Sequence, residues 1–435
     1  MAKKYPHGDI AWHQDARFGM FIHWGLYAMP ARHEWIRHFE KLTDERYQIY
    51  FDLFDPDLFQ PREWARAAKA AGMKYMVITA KHHEGFCLFD SRYTDYKATN
   101  TPAGRDLLRE ALDAFRAEGL RVGVYYSLID WHHPDFVTDR RNGPYRELPE
   151  EEFRKRNEGR EMRRYAKYMR DQVTELLSNY GKLDIMWFDF SYPDKEHPED
   201  ITLGKGAVHW ESEKLLKTVR RLQPDIIIDD RLGLPGSGDI ITPEQYTPGK
   251  PPTDAEGNPI VWEGCQTFSG SWGYHRDETT WKSEEQCIRL LVDHVSRGGN
   301  LLMNVGPTAR GFLDDRALAG LEYFAKWMKF NSRSIYGCGA APELTPPQDC
   351  RYTYNPKTNR LYLHIYAWPF VYLQLPGLAG KVRYAQLLHD GSEILWDEAC
   401  DARCGKARTE AGNISLKLPV VKPADVVPVV EIFLK

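Results

Sequence analysis

Apolar runs of five to eight residues alternate along the chain with longer amphipathic stretches. "RFGMFIHWG" (17–25) reads as a strand. "PREWARAAKAAGM" (61–73) reads as a helix with Pro at its start and Gly at its C-cap. "KYMVITA" (74–80) is the next strand, "RDLLREALDAFRAEGL" the next helix, and "RVGVYYS" (121–127) the strand after it. A charged helix is predicted from about 149 to 180, followed by "KLDIMWFDF" (182–190). "DIIIDD" (225–230), "PIVWEGCQTF" (259–268) and "NLLMNVGP" (300–307) complete seven apolar strands. Continuous apolar strands separated by helices predict a parallel sheet covered on both faces. The expected class is α/β: a distorted (β/α)₈ TIM-like barrel. No Gly-rich phosphate loop opens a helix after the first strand, which disfavours an open dinucleotide-binding sheet. Residues 231–258 are rich in Pro and Gly, and no helix can be read there.

The texture changes beyond about 338. "RYTYNPKTNRLYLHIYAW", "VYLQLPGL", "VRYAQLLHDGSEILW", "NISLKL" and "VVPVVEIFLK" are short alternating runs broken by turn residues, which predicts a C-terminal antiparallel β-sandwich. The expected organisation is a catalytic barrel over 1–338 and the sandwich over 345–435.

Composition narrows the function classes. With 42% hydrophobic and 28% charged residues the chain is an ordinary globular one. A net charge of -4 argues against nucleic acid or an anionic membrane as partner. No run is long and apolar enough to span a bilayer. The start lacks the apolar core of a secretory signal, so the expectation is cytoplasmic as the sequence stands, and periplasmic or secreted if a signal was removed. The seven cysteines are scattered without a CxxC pair, which reads as reduced thiols; Cys400 and Cys404 are the one weak metal half-site. The 13 Trp, 24 Tyr and 19 Phe suit a core and also suit sugar faces.

In a barrel, chemistry gathers at the C-terminal ends of the strands. Polar residues do recur there: His23, then His82 and His83, Tyr125 or Tyr126, Trp187 and Asp189, Asp229 to Arg231, Glu263, and Asn304. Trp187 and Asp189 are two apart and share a strand face. An indole beside a carboxylate is a good sugar-site pair, although an acid capping a turn is the plainer alternative. Glycoside hydrolysis needs a second acid, for which Glu34, Glu84, Glu244 and Glu263 are candidates. Glu263, in an aromatic and apolar strand, is favoured for the acid role. His23, His82 and His83 raise a metal-dependent hydrolase as an alternative. Adjacent histidines point apart on a strand, however, and no HxH or HxxxH pair occurs near a strand end, so no metal or cofactor is expected. A non-catalytic sugar-binding barrel is the other alternative.

"FGMFIHWGLYAMPARHEWI", "KYMVITAKHHEGFCLFDS", "IMWFDF", "VWEGCQTFSGSWGYHRDE" and "GGNLLMNVGPTARG" together resemble the α-L-fucosidases of glycoside hydrolase family 29. The resemblance implies the same barrel and sandwich, and a retaining hydrolase of terminal α-L-fucosyl linkages. It puts the nucleophile on Asp189 and the acid/base on Glu263, with Glu244 in reserve. It puts the fucose-binding positions on His23, Glu34, Trp35, His82, His83, Tyr125, Trp187 and Arg231. The implied partner is a fucosylated oligosaccharide or glycoconjugate. A homo-oligomer is left open, and α-L-galactoside is the nearest rival substrate.

Overall fold

The computed structural model describes residues 5, 7–341, 343–398 and 409–435. Cys400 and Cys404 lie outside the described residues. Seven strands form one parallel sheet: β1 Phe18–Ile22, β2 Tyr75–Lys81, β3 Arg121–Ser127, β4 Ile185–Asp189, β5 Ile227–Ile228, β6 Glu263–Thr267 and β7 Asn300–Val305. Their order is β5-β4-β3-β2-β1-β7-β6. The curled sheet has two buried faces. Phe21, Val77, Tyr125, Ile185, Cys265 and Leu302 fill the inside. The alternate residues Met20, Ile22, Met76, Ile78, Val124 and Met303 meet the helices outside. That double burial is why the strands read as unbroken apolar runs.

The Pro/Gly-rich stretch closes the barrel. Residue Asp239 donates from its backbone N–H to Ile228 of β5. Ile241 and Glu244 then bridge in parallel to Trp262 and to Cys265 of β6. This extended segment takes the eighth strand's place without forming a regular strand, which is why only seven could be read.

The helices follow their caps. Pro61–Ala70 has Pro in its first turn. Asp106 caps Leu107–Ala117, and Ser283 with Gln286 forms a capping box on Glu284–Val295. The single long helix expected over 149–180 is instead two, Glu150–Asn157 and Met162–Asn179. Gly159 between them sits at φ +76°, a left-handed conformation that ends a helix.

Beyond the last barrel helix, Asp315–Asn331, all pairing is antiparallel. Strands β8 Cys350–Asn355, β9 Arg360–Ile365, β10 Tyr372–Leu375, β11 Val382–Leu387, β12 Leu395–Glu398, β13 Ile414–Lys417 and β14 Val429–Leu434 follow. They make a four-stranded sheet, β11-β14-β9-β8, and a three-stranded one, β10-β13-β12. Leu361, Leu363, Ile432, Leu375, Ile414 and Leu416 form the core between them. The sandwich is seated on the barrel helix through the Trp327 indole N–H, which donates to the Val427 carbonyl at 2.9 Å.

Candidate active site

A cavity of about 400 Å³ opens at the C-terminal ends of the parallel strands, lined by Asp189, Glu244 and Trp187 among others. Asp189 is the last residue of β4. Both of its oxygens are occupied: Tyr125 Oη donates to Oδ2 at 2.7 Å and Arg231 Nη1 to Oδ1 at 2.9 Å. Tyr125 pairs with Trp187 across β3 and β4, so it faces inward one layer below Asp189. Burial and then the Asp189 charge raise the Tyr125 phenol well above its ordinary value, so it stays a donor. The residue after Asp189, Phe190, adopts φ +80°, an uncommon left-handed backbone for an aromatic residue, and lines the same cavity.

Arg231 joins Asp189 to a second acid. Its Nη1 lies 2.8 Å from Glu244 Oε2. The two legs of 2.9 and 2.8 Å, laid end to end, cap the nearest approach of the two carboxylates at about 5.7 Å. Retaining glycosidases hold their carboxyl groups about 5–5.5 Å apart. Burial opposes the Arg231 charge, yet Asp189, followed by Cys265, Glu244 and Asp229, outweighs it and the group sits well above its ordinary value. Thr242 sets this geometry. It accepts from Arg231 Nε at 3.0 Å and donates to Asp230 Oδ1 at 2.8 Å, two residues before Glu244. The partners of Arg231 are thus Asp189 and Glu244, while Asp230 pins the closing segment. The acids differ in setting: the Asp189 side chain is 12% exposed and that of Glu244 43%.

The expected sugar-binding residues converge on the same cavity: His23, Glu34, Trp35, His82, His83, Tyr125 and Trp187 line it, and Arg231 stacks on the Trp187 indole at 4.5 Å. His82 and His83 do not point apart. β2 ends at Lys81 and both rings lie in the turn beyond it, 4.0 Å centroid to centroid, where strand alternation no longer applies. Burial pushes His23 down to about 3, and holds His82 and His83 well below the ordinary value. All three are neutral rings near pH 7. No three His, Cys, Asp or Glu side chains group as a metal site among the described residues. Glu34 Oε2 accepts from the backbone N–H groups of Trp272 and Gly273 at 3.1 and 2.9 Å. Its Oε1 is buried without a hydrogen-bond donor among the described residues. His33 Nδ1, 3.3 Å from that oxygen, itself accepts from the Trp35 N–H. Glu34 therefore fastens the 271–273 turn with one oxygen and leaves the other for a ligand.

Glu263 is the correction. It is the first residue of β6, not near its end, and faces inward at the opposite mouth of the barrel. It is 0% exposed and does not line the cavity. Its Oε2 accepts from Tyr75 Oη at 2.5 Å and meets His13 Nε2 at 2.8 Å. Cys265, two residues on, is the β6 residue at the cavity floor. Glu263 lies roughly 7 Å below it along the strand. Gly19 makes room for this arrangement, because a Cβ there would stand 2.4 Å from the Tyr75 ring. Several cavity residues were not singled out from the sequence, among them Trp272, Phe190, Gln245 and Phe39. "SWGY" carried a signal for Trp272. Nothing local marks Phe39 or Gln245.

The family model for alpha-L-fucosidases matches residues 4–333. The chain belongs to the alpha-L-fucosidase family. Human plasma alpha-L-fucosidase is 30% identical over 418 residues, covering 89% of this chain and 83% of that protein. Alpha-L-fucosidase isoenzyme 1 from Paenibacillus thiaminolyticus superposes with a TM-score of 0.90 at 46% identity, covering 98% of each chain. An alpha-L-fucosidase from Bacteroides thetaiotaomicron, 26% identical with a TM-score of 0.83 over 100% of both chains, was captured as a covalent intermediate. That complex was formed with 2-fluoro-fucosyl fluoride in a glutamate-to-glutamine mutant. As a member of this family the chain is a glycoside hydrolase, a retaining α-L-fucosidase that works by double displacement.

Proposed function

We propose that Asp189 is the nucleophile and Glu244 the acid/base of this fucosidase. The observation that carries the assignment is the shared nitrogen, Arg231 Nη1, which holds both carboxylates at one mouth of the barrel. Glu244, once parted from Arg231, takes up a proton from solvent; Asp189 then attacks the anomeric carbon while Glu244 passes that proton to the departing oxygen. The same Glu244, now a carboxylate, takes a proton from water, which cleaves the glycosyl–Asp189 ester with net retention. The greater exposure of Glu244 suits a group that must meet both a leaving group and water. His23, His83 and the free Oε1 of Glu34 suit the sugar hydroxyls. Phe21, Phe190 and Trp272 suit the 6-methyl group.

Incubation with 2-fluoro-fucosyl fluoride followed by peptide mapping tests the assignment. The label is expected on the peptide containing Asp189, and a label on Glu244 would overturn the roles. Aryl α-L-galactoside, with one added hydroxyl, is expected to react about 10–100-fold more slowly, because an apolar pocket rejects a hydroxyl only weakly. Equal rates would make the site one for both sugars. A fucosylated oligosaccharide or glycoconjugate is the proposed substrate. Five buried free thiols (Cys87, Cys265, Cys287, Cys338, Cys350) favour a reducing, cytoplasmic setting. Titration of thiols in denaturant without reductant checks it; their loss as disulfides would argue for a secreted protein.

A further inference from the structure

We propose that Asn304 and Ser127 are positioning residues that lock His23 and His83 in the Nδ1–H form, so that both rings meet the sugar as hydrogen-bond acceptors through Nε2. Neither residue lines the cavity. Asn304 lies in β7 beside Phe21 of β1, and Ser127 ends β3 beside Asp189.

Each lock has two steps. His23 Nδ1 lies 2.7 Å from Asn304 Oδ1. The amide cannot turn over, because Asn304 Nδ2 donates to the Trp272 carbonyl at 2.7 Å. Its oxygen therefore faces His23, and only a proton on His23 Nδ1 completes the bond. His83 repeats the logic with a hydroxyl. His83 Nδ1 lies 2.6 Å from Ser127 Oγ, and that hydroxyl spends its one proton on the Ile129 carbonyl at 2.8 Å. Ser127 can then only accept from His83. Burial keeps both rings neutral, so each holds one proton and that proton is already placed. Nε2 is left with a lone pair on both. His83 Nε2 stands 3.8 Å from Asp189 Oδ2, and since both atoms are acceptors, a sugar hydroxyl that reaches this corner gives its one proton to Nε2.

With Glu34 Oε1, the cavity thus presents three acceptors and asks for donors. Free hydroxyls satisfy it; the same positions methylated, acylated or sulfated do not. This consequence rests on the proposed fucosidase chemistry, whereas the tautomers do not depend on it.

Nuclear magnetic resonance of the full chain labelled with ¹⁵N-histidine reads the tautomers without substrate. His23→Gln and His83→Gln identify the two rings. Both are expected as Nδ1–H at pH 7, and an Nε2–H or doubly protonated form of either would overturn the proposal. Ser127→Ala and Asn304→Ala are expected to mix the tautomers of His83 and His23 respectively. They should raise KM for an aryl α-L-fucoside roughly tenfold, the equivalent of one lost hydrogen bond, with a smaller change in kcat. Ser127→Thr should restore both the signal and KM. An alanine variant with unchanged tautomer and KM would remove that residue from the scheme. If the alanine variants do not fold, the unsubstituted spectrum decides alone. If no fucoside is cleaved, the proposed chemistry fails while the tautomer result stands.

Discussion

The two mouths of the barrel each carry a buried or half-buried carboxylate, and they make a controlled comparison. At the C-terminal mouth, Asp189 accepts from Tyr125 and Arg231, beside an open cavity and a second acid. At the N-terminal mouth, Glu263 accepts from Tyr75 and meets His13, with Asn300 donating to the Tyr75 hydroxyl at 3.2 Å, and it is fully buried outside the cavity that Asp189 lines. Both acids sit among aromatic rings and both hold a tyrosine. What separates them is access. A carboxylate with donors and a cavity can attack a sugar; a carboxylate with donors and no cavity can only hold strands together. An acid in an apolar strand is therefore not evidence of chemistry until its end of the strand is known.

The comparison is broken most sharply by substitution. Asp189→Ala should lower kcat on the order of ten-thousand-fold with the fold intact by circular dichroism, since it removes the nucleophile. Retained hydrolysis would dissolve the distinction between the mouths. Glu244→Gln should cost about a hundred- to ten-thousand-fold on poor leaving groups. The loss should be much smaller with a dinitrophenyl leaving group, which needs no proton. A uniform loss across leaving groups would deny Glu244 the acid role.

Acid tests the buried histidines, those of the cavity and two beyond it. His23 and His364 are pushed down to about 3 and His294 to about 4, with His82 and His83 well below the ordinary 6.5. Burial leads in every case. The unfolded chain binds protons on these rings from about pH 6.5 downward while the folded chain does not, so their contribution is lost as pH falls. Each ring costs about 1.4 kcal/mol per pH unit through that window. Glu84, raised to about 8 by burial, and Asp229, raised well above its ordinary value, pull the other way. His38, lowered to about 4 first by burial, acts in the same sense, and these rings outweigh the two acids and leave a net loss. The urea midpoint should fall steadily from pH 6.5 to pH 4, and a flat midpoint would contradict neutral buried rings. The smallest catalytic effect is expected at Glu263. Glu263→Gln should leave kcat within about twofold and lower unfolding free energy by about 1–3 kcal/mol, as a half-satisfied buried group does. A large fall in kcat without loss of stability would return Glu263 to the chemistry.

Much of this was legible along the chain. Asp189 could be read because it ends an apolar run and shares a face with Trp187. His23 could be read as the polar end of its strand, whereas the choice of Tyr125 over Tyr126 came from the family resemblance. Glu34 and Trp35 came from the family resemblance as sugar-binding positions, and both line the cavity. Glu263 is misplaced by the sequence because "PIVWEGCQTF" reads as a strand, or a strand plus loop, from Pro259, which would put the acid mid-strand. Pairing with β7 starts at Glu263 opposite Asn300, so the acid opens the strand. Glu244 was ranked second because its neighbours are Pro and Gly, which locally specify only irregular chain. Its place comes from Thr242 gripping Arg231 and Asp230, and from its bridge to Cys265.

The sequence by itself determined the parallel sheet, the sandwich after it and that Trp187 and Asp189 share one face of their strand. Those follow from local periodicity and from the burial that apolar residues require. Only the tertiary structure decided which acid meets Asp189. That choice depends on where a strand begins and on which distant segment closes the barrel. Both are set by contacts between residues far apart in the chain, and no local pattern of apolar and polar positions records them.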